Sequence, residues 1–447
     1  MMSGDDGRAP RGGQAAHMLR ALRHRNYRLF FIGQGVSLIG TWITRVATSW
    51  LVYRLTGSAA LLGLVGFAGQ IPTFFLGPFA GVWVDRLDRY RVLLATQVAA
   101  MVQSAALAVL TIGGMIEVWH ILALSVVQGV INAFDTPARQ SFVVEMVEGP
   151  ADLPNAIALN SSMFNGARLV GPSIAGVLVA LVGEGWCFAL DSASYVAVIL
   201  SLLAMRVAPR LRPPRETKVL EELRAGFAYA FGLPPLRAIL ILLALVSFTG
   251  LPYVVLMPVV AAQVLGGGAH TLGLLMSATG VGALAAALYL ASRRSVLGLG
   301  RLVPIAATTF GLGLCAFSLS RTLPLSLLLL AFVGAGWMVQ SAASNTILQT
   351  LVRDEMRGRV MAFYAVAILG TTPFGSLLAG ALAARFGVSW TLFGGGLLCA
   401  LGAAVFARRL PRLRAQALPI YIERGIIVPE IAAGLGDATA VRDELAE

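Results

Sequence analysis

Twelve apolar runs separated by short polar segments organise this sequence. They cover roughly 28–53, 61–83, 92–113, 118–138, 160–182, 187–206, 236–263, 270–291, 300–319, 323–346, 360–383 and 388–407. Each is close to the ~20 residues that a helix needs to cross the hydrocarbon of a bilayer. The strict two-residue alternation of a transmembrane strand is absent. Lipid-exposed backbone must satisfy its own hydrogen bonds, so the runs predict helices. The expected fold is an all-α membrane protein with twelve transmembrane helices.

The longest polar interruption, 207–235, holds Pro209, Pro213, Pro214, Pro234 and Pro235 among Arg, Lys and Glu, and it divides the runs six and six. Within it, 219–232 has the composition of an amphipathic helix lying on a membrane surface. The expected organisation is an N-terminal arm (1–27), a six-helix bundle (28–206), a central loop (207–235), a second bundle (236–407) and a tail (408–447). The halves repeat. Gly171, Gly176, Gly183 and Trp186 recur 204 positions later as Gly375, Gly380, Gly387 and Trp390. Duplicated, pseudo-symmetric six-helix bundles place a substrate site near the bilayer midplane, where the repeats meet.

Composition agrees. The chain is 57% apolar and 13% charged, against about 45–50% and about 25% for soluble domains. The net charge of +12 does not imply nucleic acid, because the basic residues gather in short loops at alternate ends of the runs. Only Arg54, Arg321 and Arg385 fall at the opposite ends, and Arg45 and Arg168 lie within runs. By the positive-inside rule both termini are expected in the cytoplasm. The first 27 residues lack an apolar h-region and a small-residue cleavage site, so no removable signal peptide is expected. Cys187, Cys315 and Cys399 are far apart and apolar in context, and His17, His24, His120 and His270 are scattered. Neither set suggests a disulfide framework or a metal site, and no cofactor is expected. No phosphate-binding Gly-x4-Gly-Lys-Ser/Thr loop occurs, which argues against ATP-driven transport by this chain, and no catalytic constellation emerges.

Polar residues inside apolar runs are the candidate functional set, because they are costly in lipid and normally face a bundle interior or a water-filled cavity. Span 1 carries Gln34, Ser37, Thr41 and Arg45 on one helical stripe, flanked by Trp42 and Thr44. Span 4 carries Gln128, Asn132, Asp135 and Arg139 with similar spacing. Span 5 carries Arg168 ahead of Gly171-Pro172, and span 10 carries Trp337, Gln340 and Ser344. These residues predict a mildly polar cavity, cationic at Arg45 and Arg168, suited to an amphipathic or anionic organic molecule. Asp135 and Asp191 are the candidate proton carriers. The alternatives are a salt bridge of Asp135 with Arg139 or Arg168, helix-dipole stabilisation of Asp191 near a helix start, an Arg45 that snorkels to the outer interface or fixes span 1 to a neighbour, and a Trp337 that packs against small residues. Pro252, Tyr253 and Pro258 predict a broken seventh span.

Gly81 to Arg91 reads G-V-W-V-D-R-L-D-R-Y-R between spans 2 and 3. Its charges require a membrane face. The sequence resembles the loop between helices 2 and 3 of the major facilitator superfamily. Further matches are Arg25-Asn26-Tyr27-Arg28-Leu29-Phe30, Ser37-Leu38-Ile39-Gly40-Thr41-Trp42, Pro137-Ala138-Arg139-Gln140, Asn155 to Ser161 and Ala167-Arg168-Leu169-Val170-Gly171-Pro172. They resemble the branch that includes enterobactin-exporter-like and macrolide-efflux-like proteins. The resemblance covers about 20–410. It departs at Asp88, where the family has Gly, and at Ser292-Arg293-Arg294, where the second copy of the loop lacks its acid.

The resemblance implies the major facilitator fold and proton-coupled export of a drug- or siderophore-like molecule across the bacterial inner membrane. The protein is expected to act as a monomer, by rocking of two halves. Gly81, Asp85, Arg86 and Arg89 would form the gating loop. The residues themselves leave open an importer, or a membrane scaffold or sensor that transports nothing.

Overall fold

The computed structural model describes residues 19–147, 149, 151–206, 219–293 and 298–423, apart from the side chains of Pro78, Val82, Asp85 and residues 219–223. Most of the N-terminal arm, the first part of the central loop, Arg294 and the end of the tail lie outside these residues.

After a 3-10 turn, Arg20–Arg23, come α1 (Arg25–Thr56), α2 (Ala59–Arg86), α3 (Arg89–Ile112), α4 (Val118–Met146), α5 (Leu153–Val182) and α6 (Glu184–Leu203). The second half holds α7 (Val219–Gly232), α8 (Pro234–Thr249), α9 (Tyr253–Val259), α10 (Ala269–Ser292), α11 (Leu299–Leu319), α12 (Leu323–Leu351), α13 (Asp354–Ala365), α14 (Thr372–Phe386) and α15 (Val388–Glu423). No strand occurs among the described residues. Among the described residues, twelve stretches are long and apolar enough to cross a membrane, α8–α9 and α13–α14 each counting as one interrupted span.

Several helices outrun their apolar runs. α4 continues to Met146, α5 begins at Leu153, and α15 continues to Glu423 where 407 was expected. Hydropathy marks where a helix leaves lipid, whereas the backbone hydrogen bonds carry on into water. The predicted break in span 7 is present: α8 stops at Thr249, and Pro252, which has no N–H to donate, precedes α9. A π turn at Val260–Val264 follows, and another at Val366–Gly370 interrupts span 11.

The chain forms two compact units, 1–215 with 257–280, and 216–256 with 281–447. In the first, α1 packs on α5 and α6, α3 on α6 and α4, and α2 on α4. Tyr27, Phe30, Leu93, Phe142, Val198 and Leu202 close the Arg-rich end as a buried cluster. Tyr27 donates from its hydroxyl to the Ala156 carbonyl at 2.7 Å. In the second unit, α11 packs on α12 and α15, α15 on α8, and α7 on α13. The amphipathic stretch does form a helix, α7, with Phe227 and Phe231 stacked together and edge-on to Phe363.

The repeat is visible in the backbone. Gly183 (φ 83°) and Gly387 (φ 87°) both end one helix and start the next in a conformation that a Cβ disfavours. Trp186 and Trp390 follow each turn, exposed as aromatics at a membrane interface commonly are. Gly171 lets α5 meet α1, since a Cβ there would lie 2.5 Å from the Trp42 Cβ. Gly375 plays the same part for α14 against Phe248 and Pro252 of the second unit. Gly171→Leu is therefore expected to lower the yield of folded protein severely, measured as the monodisperse fraction after detergent extraction. Wild-type yield would refute the close crossing.

Candidate functional site

α1 distributes its polar residues among several neighbours. Gln34 and Ser37 are buried, and neither Gln34 Oε1 nor Ser37 Oγ has a hydrogen-bond partner among the described residues. Thr41 donates to the Ser37 carbonyl at 3.0 Å and lies 3.4 Å from the Tyr195 hydroxyl of α6. One turn on, Arg45 is exposed. Its guanidinium carbon is 4.8 Å from the centre of the Trp42 ring. That of half-buried Arg168, from α5, is 6.0 Å from the same ring. Both distances are in the range of cation–π attraction. Phe164 meets Trp42 edge-on at 6.1 Å.

Asp135 is buried and fully engaged. It pairs with Arg139 at 3.0 Å and accepts hydrogen bonds from Thr96 at 3.1 Å and Gln97 at 2.6 Å. Nearby on α4, Gln128 donates to Asn132 at 3.1 Å, and both are half-buried.

Asp191 differs. α6 starts at Glu184, so Asp191 lies two turns in, beyond the reach of the helix-terminus effect. Glu184 occupies the helix start and pairs with Arg54 at 2.7 Å. Asp191 is 3% exposed. Its Oδ2 accepts from Thr44 at 2.8 Å and Ser104 at 3.0 Å. Its Oδ1 has no hydrogen-bond partner, and no cation pairs with it among the described residues.

In the second unit, Trp337 is buried with its ring 6.3 Å from Phe310. Gln340 and Ser344 are fully buried, and neither amide atom of Gln340 nor Ser344 Oγ has a partner among the described residues.

The charged loop is shorter than expected. α2 runs through Arg86, leaving only Leu87 and Asp88 before α3. Asp88 caps α3, accepting from the backbone N–H groups of Tyr90 and Arg91, at a φ of −69° that needs no glycine. The departure from the family's Gly is thus accommodated. Gly81 has open space where a Cβ would be, and Arg86 is exposed. Arg89 pairs with Glu145 of α4 at 3.0 Å, both side chains largely buried. The side chain of Asp85 lies outside the described residues.

Sequence reading missed Glu145, Tyr195, Thr96, Gln97 and Ser104. Glu145 lies past the apolar end of span 4, and the others look like ordinary helix residues until their neighbours are known. Among the described residues, no group of three or more His, Cys, Asp or Glu could hold a metal.

A family model described as transmembrane secretion effector matches residues 16–424. The chain belongs to this family, within the major facilitator superfamily. Among its relatives, the multidrug efflux pump Tap of Mycolicibacterium fortuitum is 28% identical over 84% of this chain and 93% of the pump. The staphyloferrin A transporter of Staphylococcus aureus is 24% identical over 87% and 98%, and macrolide efflux protein A of Streptococcus pyogenes is 24% identical over 84% and 95%. The fold resembles a bacterial homologue of the human lysosomal transporter Spinster (TM-score 0.68, 15% identity, covering 88% of this chain and 98% of that one). It also resembles a peptide transporter of the POT family (TM-score 0.69, 12% identity, 88% and 95%). The chain is a multi-pass membrane protein of the efflux type, and its relatives are transporters rather than enzymes.

Proposed function

We propose that the protein exports a small amphipathic organic molecule, drug- or siderophore-like, from the bacterial cytoplasm by proton-coupled alternating access. In this reading it acts as a monomer with both termini cytoplasmic. The observation that carries it is the approach of exposed Arg45 and half-buried Arg168 to the Trp42 ring, and Thr41, Gln128 and Asn132 are proposed as further polar wall. Relatives named for a siderophore, macrolides and multiple drugs support a small organic cargo. Asp191, buried without a cation, is the proton carrier in this scheme. Asp135, tied to Arg139, is structural.

The test is accumulation of a drug and siderophore panel in cells with and without the protein, each with and without an uncoupler. Lower accumulation that the uncoupler abolishes is expected. A protein-dependent difference that survives the uncoupler would refute proton coupling. Gly81, Asp85, Arg86 and Arg89 are proposed to latch one state of the transport cycle, with Glu145 holding Arg89. Asp85→Asn is expected to slow transport about tenfold or more, by roughly 1.5–3 kcal/mol for one hydrogen bond to a charged group, and to leave substrate binding intact. Unchanged transport at equal expression would remove Asp85 from the latch.

A further inference from the structure

Three helix-borne arginines of the first unit have carboxylate partners: Arg54 has Glu184, Arg89 has Glu145, and Arg139 has Asp135. Arg45 and Arg168, which lie inside apolar runs, differ from these three. Among the described residues neither forms an ion pair or hydrogen bond, yet both approach one indole ring within apolar helices. Neither buried acid of the unit pairs with them: both oxygens of Asp135 are engaged elsewhere, and Asp191 Oδ2 accepts from Thr44 and Ser104. Gathering like charge at membrane depth is costly, and such groups mark substrate paths.

We infer that Arg45 and Arg168 form a subsite for an anionic group, a carboxylate on a planar or aromatic frame that packs beside Trp42. This rests on the reading of the patch as a substrate wall, and it narrows the cargo to organic anions. A guanidinium offers a planar fork that matches a carboxylate in two parallel hydrogen bonds. The accessible side of Arg45 gives the anion a way in. The same two charges would repel a cationic drug, so the patch selects by exclusion as well as by attraction.

The test uses two xanthene dyes of like shape and opposite charge, carboxyfluorescein and rhodamine 123. Binding to the full chain in lipid nanodiscs would be followed by fluorescence anisotropy. The wild type is expected to bind carboxyfluorescein at least about tenfold more tightly than rhodamine 123, and Arg45→Gln or Arg168→Gln to lose about tenfold in carboxyfluorescein affinity. Arg45→Lys and Arg168→Lys should keep the preference for the anion. Equal or tighter binding of rhodamine 123, binding of neither dye, or Gln variants with unchanged affinity would overturn the inference. The wild-type preference needs no variant, so a misfolded substitution cannot obscure the outcome.

Energised extrusion of the drug and siderophore panel separates this inference from the exporter reading. Uncoupler-sensitive export of cationic or neutral compounds without anion preference would leave the exporter standing and remove the anion subsite. Arginine-dependent anion binding with no export of any compound would do the reverse.

Discussion

Asp191→Asn is expected to yield a folded protein that binds and exchanges its substrate but no longer concentrates it. Asn has the size of Asp and can keep hydrogen bonds to Thr44 and Ser104, which hold Oδ2 at 2.8 and 3.0 Å. What it cannot do is gain and lose a proton. The carboxyl at 191 is buried, faces two hydroxyls and the close crossing of Gly40, and has no cation to stabilise its charge among the described residues. A charged carboxylate there is costly. A cycle that forces it to ionise and then relieves it can therefore be driven by a proton gradient. Removing a positioned proton carrier costs roughly a hundredfold or more in rate. Uncoupler-sensitive export from energised vesicles should fall by about that factor, while counterflow exchange in proteoliposomes stays near wild type. Wild-type coupled export by Asp191→Asn would exclude it as the carrier. Loss of both activities with intact folding would make it part of the substrate site instead.

How far the sequence foretells this arrangement depends on the kind of information each residue carries. The twelve spans are legible because a helix that meets lipid must be apolar along most of its length. The Gly183 and Gly387 turns are legible because the repeat preserved the residue type that the backbone needs. The stripe of Gln34, Ser37, Thr41 and Arg45 is correct as a periodicity, but periodicity does not say what each residue faces. Two of the four are buried against neighbouring helices, and Arg45 is the accessible one. Helix-start reasoning misplaces Asp191 because the helix begins at Glu184, with a charge that hydropathy read as outside the span. Glu145 escaped for the same reason. Partners of this sort are set by which helices touch, a property of three dimensions that no single run encodes.

The Asp135–Arg139 pair should behave in the opposite way to Asp191. Arg139→Gln leaves a buried carboxylate, 6% exposed, with only Thr96 and Gln97 as donors. Breaking one side of a buried ion pair costs about 3–5 kcal/mol, because the remaining charge keeps its desolvation penalty without its partner. The thermal unfolding midpoint of the purified variant should drop sharply. Asp135→Asn should cost less, since the Arg139 side chain retains 21% exposure and lies near the Arg-rich end, where its long stem can carry the charge to water. The double change Asp135→Asn with Arg139→Gln should recover most of the stability, because two neutral amides can hydrogen-bond one turn apart, as Gln128 and Asn132 do on the same helix. A double variant no more stable than Arg139→Gln alone would show that the pair contributes through packing, not charge. Wild-type stability of Arg139→Gln would mean that Asp135 is neutral in the resting protein. The proton-carrier assignment would then have to be divided between Asp135 and Asp191.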